Sequence, residues 1–116
     1  MSEPDFIRVR GVVGGALCVA THDGDLVREK IVPALREGRR AILSFAGVEM
    51  LIPAFLSSAI GQLYGEFPEA QVDRLVDLQE LPEGTETVAE SSRRWAKAYY
   101  RDPVAFQRAT REVLEE

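Results

Sequence analysis

From Ala41 to Ala46 every residue except Ser44 is apolar, and Arg39-Arg40 and Gly47 bound the run. Six residues are too few for a stable helix, and an apolar run without alternation fits a strand covered on both faces. Gly47-Val48-Glu49 then turns the chain. Pro53 marks the first turn of a helix, where its missing N–H costs no hydrogen bond. Phe55, Leu56, Ala59, Ile60, Leu63 and Phe67 follow at helical spacing. The stretch 41–61 therefore reads as a buried strand, a short loop and a helix packed back on the sheet.

The flanks supply the rest of an alternating pattern. Ile7 and Val9 alternate with Arg8 and Arg10, and Leu17 and Val19 alternate with small residues, which predicts two strands. Gly14-Gly15 between them reads as a hairpin or tight turn, because glycines accept positive φ. Asp23 is a candidate N-cap for a helix beginning near Gly24 or Asp25, with Val27, Ile31, Ala34 and Leu35 as its apolar stripe and Gly38 as its stop. Pro33 should kink or split that helix near Glu29 to Val32. Gln71 to Leu78 fits either period, and the expectation of a parallel neighbour after the second helix favours a strand. Leu81-Pro82-Glu83-Gly84 breaks the chain. Thr85 or Thr87 then caps a helix to about Arg101, with Val88, Trp95, Ala96 and Tyr99 or Tyr100 on its buried side. Asp102-Pro103 starts a last helix, with Phe106, Ala109, Val113 and Leu114 facing inward.

The strand, the Gly-Val turn, Pro53-Ala54-Phe55-Leu56 and the helix reaching Gly61 resemble the STAS-like domain family of unknown function, which is related to the STAS domains of bacterial anti-sigma-factor antagonists. The likeness spans roughly Val9 to Leu78. It implies an α/β domain: a mixed sheet of about four strands packed against about four helices. It also implies a non-enzymatic, protein-binding role in bacterial regulation, with a partner of the ATP-binding, serine-kinase-like anti-sigma type. The binding surface would be the loop from Gly47, Val48 and Glu49 and the first helical turns, Pro53, Ala54, Ser57 and Ser58. In the antagonist branch a serine at the start of this helix is phosphorylated, and charge placed at an interface disrupts it unless paired. That position falls at Ala54, which has no hydroxyl. Ser44 stands at the strand position that resembles the family's aspartate, and Ser58 at the helix position where STAS-like members often carry glutamate.

The 116 residues read as one domain, 1–116, able to bury a core without staples. A net charge of -5 argues against general nucleic-acid binding, which needs a basic face. One cysteine, Cys18, makes no internal disulfide, and MSEPDF lacks the layout of a signal peptide. No apolar run approaches the roughly 20 residues that span a bilayer, so a soluble, cytoplasmic chain without membrane contact is the expectation.

Candidate chemistry is sparse. His22 beside Asp23 invites a base-and-orienter pair, but adjacent residues rarely face each other. Cys18 is read as a packed, inert thiol, and no metal-ligand spacing or catalytic signature appears. No cofactor is implied. Arg93, Lys97 and Arg101 share one helix face and are read as solvated, balancing the acidic segment Glu80 to Glu90. Two rival readings stay open. One is a small-molecule or nucleotide-binding domain, with hydrolytic chemistry at Thr21, His22 and Ser57 or Ser58. The other is a homodimer built on the aromatic C-terminal helices.

Overall fold

The computed structural model describes residues 3–105 and places the apolar run where its composition requires. β3 (Ala41–Ser44) is the middle strand of a parallel three-stranded sheet, between β1 (Asp5–Arg8) and β5 (Val76–Gln79). Ile7, Leu43 and Leu78 lie in register across it, as do Arg8, Ser44 and Gln79. One row is core: Ile7 and Leu43 are buried, with Leu78 packed against them. The alternate row is more open, with Phe6 57% exposed beside a half-buried Ile42 and Asp77.

The expected mixed sheet of about four strands is corrected, among the described residues, to two parallel sheets, of three and two strands. β1 stops at Arg8, and Val9–Val13 forms a short helix, α1, that ends at Gly14 in the left-handed region (φ 86°). Gly14-Gly15 therefore closes a helix instead of turning a hairpin: both N–H groups donate to the Arg10 carbonyl, at 2.8 and 3.2 Å. β2 is only Leu17–Cys18 and never meets β1. It pairs with β4 (Met50–Leu51) in the second sheet. Parallel neighbours need long crossovers, so the partner of β1 lies more than thirty positions away, beyond the reach of local alternation.

α2 (Thr21–Arg36) starts earlier than expected, with Ala20 at the N-cap. Asp23 sits in the first turn, where it complements the helix dipole without capping. The helix runs unbroken through Pro33, which is exposed and lies in the last turn. Gly38 (φ 73°) ends it as expected, and the Arg39 N–H donates to the Ala34 carbonyl at 2.8 Å.

The helix expected from Pro53 is one helical path with a widened middle: α3 (Pro53–Leu56), a π turn (Ser57–Gly61) and α4 (Leu63–Glu66). The Gln62 N–H reaches back five residues to the Ser57 carbonyl at 3.1 Å. Four consecutive residues there, Ser58 to Gly61, are buried. A helix covered on one side cannot bury four in a row; this one lies between α2 and α6 (Glu86–Arg101). Of the strand expected over 71–78 only β5 is extended, because α5 (Glu69–Leu75) takes Val72 and Leu75 inward at helical spacing. Among the described residues six helices stand where about four were expected.

α6 corrects a further expectation. Trp95 is 61% and Tyr100 40% exposed, and the fully buried contact is Ala89. Small residues let α6 approach closely: a Cβ on Gly61 would stand 3.4 Å from that of Ala96. Trp95 is consequently left outside the contact, whereas the Tyr100 ring lies directly on Gly65, where a Cβ would collide with it. Thr85 occupies the N-cap position, but its hydroxyl donates to the Pro82 carbonyl at 2.6 Å and caps nothing. Asp102 does cap the following turn, accepting from the Ala105 N–H at 3.1 Å. Phe106, Ala109, Val113 and Leu114 lie outside the described residues.

Candidate functional site

The corner between β3 and α3 begins with a four-residue turn, in which the Val48 N–H donates to the Phe45 carbonyl at 2.9 Å. Gly47 occupies its third position at φ 79°, the place where such a turn demands glycine. The Arg10 side chain lies against it, and a Cβ on Gly47 would come within 2.9 Å of a guanidinium nitrogen. The Glu49 N–H then donates to the Ala16 carbonyl at 2.8 Å and the Ile52 N–H to the Cys18 carbonyl at 3.2 Å, which ties the loop to β2. Pro53 opens α3 as expected.

Of the seven residues expected on this surface, Gly47, Glu49, Pro53, Ala54 and Ser57 are exposed. Val48 and Ser58 are corrections: they are 7% and 4% exposed and belong to the interior. Val48 fills the core beneath the turn. Ser58 faces α2, where its Oγ lies 2.6 Å from both the Thr21 carbonyl oxygen and Asp25 Oδ1. Its single proton serves one of them at a time. Asp25 Oδ1 also accepts from Gln62 Nε2 at 3.4 Å.

This contact exists because residue 24 is glycine. A Cβ there would stand 2.6 Å from Ser58 Cβ and 2.7 Å from the Phe55 carbonyl oxygen. Reading Gly24 only as a place near a helix start missed its role, for which the sequence carries no local sign. Ser44 is likewise buried, donating to Glu80 Oε2 at 2.8 Å and accepting from the Ala46 N–H at 3.3 Å.

Thr21, Ala54, Ser57 and Ser58 do converge, with Asp25 and Trp95, around an open cavity of about 620 Å³. His22 is not among the residues lining it and is exposed on the first turn of α2. Around the corner the surface is apolar. Leu17 and Met50, partners across the small sheet, are 52% and 51% exposed. Trp95 lines the cavity and also a shallow groove shared with Pro53.

Elsewhere several polar groups are engaged. Cys18 is fully buried and its thiol is pushed up to about 11, by burial first and then by the charge of Asp23. Arg93, Lys97 and Arg101 do share a face, but α5 balances them, in place of the expected segment 80–90. Lys97 Nζ lies 2.9 Å from Asp73 Oδ2, Arg93 donates to the Val76 carbonyl at 2.9 Å, and Arg101 pairs with Glu69. Tyr64 OH donates to Asp73 Oδ1 at 2.6 Å; burial, then that bond, pushes the phenol up to about 12. Burial works against the Asp73 carboxylate, yet hydrogen bonds from Tyr64 and Lys97 and the nearby cations outweigh it and hold its pKa down. Among the described residues no cluster of three His, Cys, Asp or Glu could hold a metal ion, and no helix is long and apolar enough to cross a membrane.

Comparison with known proteins gives one match, and it includes this corner. A family model described as a STAS-like domain of unknown function matches residues 23–83, from α2 through β5. No curated protein and no solved structure gives a match.

Proposed function

The chain belongs to the STAS-like domain family of unknown function, and from that premise we propose that it is a non-enzymatic protein-interaction module in bacterial regulation. Its docking surface is the exposed corner Gly47, Glu49, Pro53, Ala54 and Ser57, extended by Met50, Leu17 and Trp95. The observation that carries this reading is the apolar exposure itself. Leu17, Met50 and Trp95 each leave more than half of their surface in water on the rim of the corner, and grouped apolar exposure marks interaction surfaces. The π turn beneath supports it, since such turns concentrate at functional sites. The partner is a protein of the ATP-binding, serine-kinase-like anti-sigma type. With alanine at position 54, the complex is not released by phosphate at that residue.

Affinity capture from the native bacterium tests this, using the wild-type chain beside Met50→Glu and Ala54→Glu. Both positions are exposed, so the fold should survive. The expected result is one ATP-binding protein retained by wild type and lost by at least one variant. Retention of the same protein by both variants would remove the corner from the interface.

A further inference from the structure

A second cavity, of about 610 Å³, opens at the carboxyl ends of all three strands of the larger sheet. Arg8 ends β1, with Arg10 and Gly11 just beyond; Ser44 ends β3, followed by Ala46; Glu80 follows β5. We propose that this cavity binds a small phosphate-bearing molecule, between the guanidinium groups of Arg8 and Arg10 and the Ser44–Glu80 pair.

The cavity lies outside the carboxyl ends of the strands, the end at which parallel sheets bind ligands, although the order β1-β3-β5 runs one way and has no point of reversal. Its charge points the same way. Arg28, Arg39, Arg40, Arg93 and Arg101 all have acidic partners. Arg8 and Arg10, like Arg36, Arg74 and Arg94, form no ion pair among the described residues, and of these five only Arg8 and Arg10 line the cavity, in a chain whose net charge is -5. The one carboxylate lining the cavity, Glu80, pairs with neither arginine; it accepts the Ser44 hydroxyl at 2.8 Å and keeps its charge. Glu80 holds φ 56°, and it is the one non-glycine residue with positive φ among those described. Such a conformation persists only where its surroundings enforce it, and these positions cluster at functional sites. The second oxygen of Glu80 is left to accept from a hydroxyl of the ligand.

Two guanidinium forks suit phosphate oxygens better than a single carboxylate does, because each can present two parallel N–H donors. Phe6, 57% exposed, supplies an apolar wall for the organic part of the ligand. The volume lies in the range of small-molecule sites.

The test uses the full chain and inorganic phosphate, titrated at constant ionic strength against chloride and followed by backbone amide chemical shifts. Saturable shifts at Gly11, Gly14, Gly15 and Ala46 are expected with phosphate and not with chloride. The Arg8→Gln/Arg10→Gln variant should bind about tenfold more weakly or worse, as expected when charge-assisted hydrogen bonds are lost. Glu80→Gln keeps an acceptor for Ser44 and removes a negative charge, so it should bind phosphate severalfold more tightly, a gain that misfolding cannot mimic. Unsaturable or scattered shifts, equal shifts in chloride, unchanged affinity in the double arginine variant, or weaker binding by Glu80→Gln would each overturn the assignment.

Discussion

Replacing Gly24 with alanine isolates the contact on which the corner is built. In an exposed helix interior that exchange gains about 1 kcal/mol, because alanine is the better helix former. Here the new Cβ would stand 2.6 Å from Ser58 Cβ, 2.7 Å from the Phe55 carbonyl oxygen and 2.9 Å from Ser58 Oγ. Two of those atoms are a backbone oxygen and a Cβ, neither of which can swing aside, so α2 and the π turn have to separate. Overpacking of this kind costs about 1–3 kcal/mol, and the rigid partners place it at the upper end. Moving Ser58 also breaks its bond to the Thr21 carbonyl, worth about 1 kcal/mol. The net expectation is a loss of about 2–3 kcal/mol, or about 8–12 °C in Tm at about 4 °C per kcal/mol for a domain of this size. Thermal melts by circular dichroism measure it. Gly11→Ala is the control: it is also helical, and its nearest neighbour is the Arg8 Cβ at 3.9 Å. That variant should be neutral, or stabilised by up to about 1 kcal/mol. If Gly24→Ala melts at or above the wild-type temperature, the close approach of α2 to the π turn is not what holds this corner.

Cys18, fully buried with its thiol at about 11, should resist iodoacetamide at pH 8 in the folded chain and react only on unfolding; rapid native alkylation, read by mass spectrometry, would contradict that. The Asp73 pKa is lowered by folding, so its contribution is present above about pH 4 and is lost as pH falls through the folded-state value. Asp73→Asn should therefore flatten the acid limb of a Tm-against-pH curve, by about 1 kcal/mol or less after solvent screening, and an unchanged limb would count against the network. Ser58→Asp should unfold the chain or lower its Tm sharply, since it buries a charge beside Asp25, whereas Ser57→Asp should leave the melt within a few degrees.

What the sequence made legible was whatever depends on near neighbours in the chain. The run 41–46 announced a central strand, Gly47 its turn, Pro53 the helix start and Gly38 the end of α2. Each of these rests on a residue whose own geometry limits the choices. The failures came where a partner distant in sequence decides. Val9 is apolar in either a strand or a helix, and only the pairing of Arg8 with Ser44 shows that β1 has reached its end. Val72 and Leu75 fit both periods until α5 is seen to lie against β5. Trp95 looked like core because it is large and apolar, yet α6 is held by Ala89, Ala96 and the Arg93–Asp73–Lys97 contacts, which leave the indole outside. Of the site, the exposed loop and Pro53-Ala54 were readable. The burial of Ser58 was not, because it follows from the missing side chain of Gly24, 34 positions earlier.

That burial changes how the corner can be regulated by charge. Three positions on this helix bear on the question, Ala54, Ser58 and Ser57, and the fold treats each differently. Ala54 is exposed on the first turn, in the place where a phosphate would meet a partner, but has no oxygen to carry one. Ser58 has the oxygen, already held between Thr21 and Asp25 in a cleft too narrow for a Cβ on Gly24. A phosphoryl group there would require α2 to leave the π turn. Ser57 remains, exposed and lining the cavity that Trp95 borders. Charge added at Ser57 would sit on the rim without touching the core, and would act on a partner by repulsion or pairing. Regulation of the proposed complex by charge is thus confined to Ser57 on this helix, or else enters from the other side of the turn. There Arg10 packs on Gly47, so a ligand that recruits Arg10 acts directly on the loop that presents Glu49.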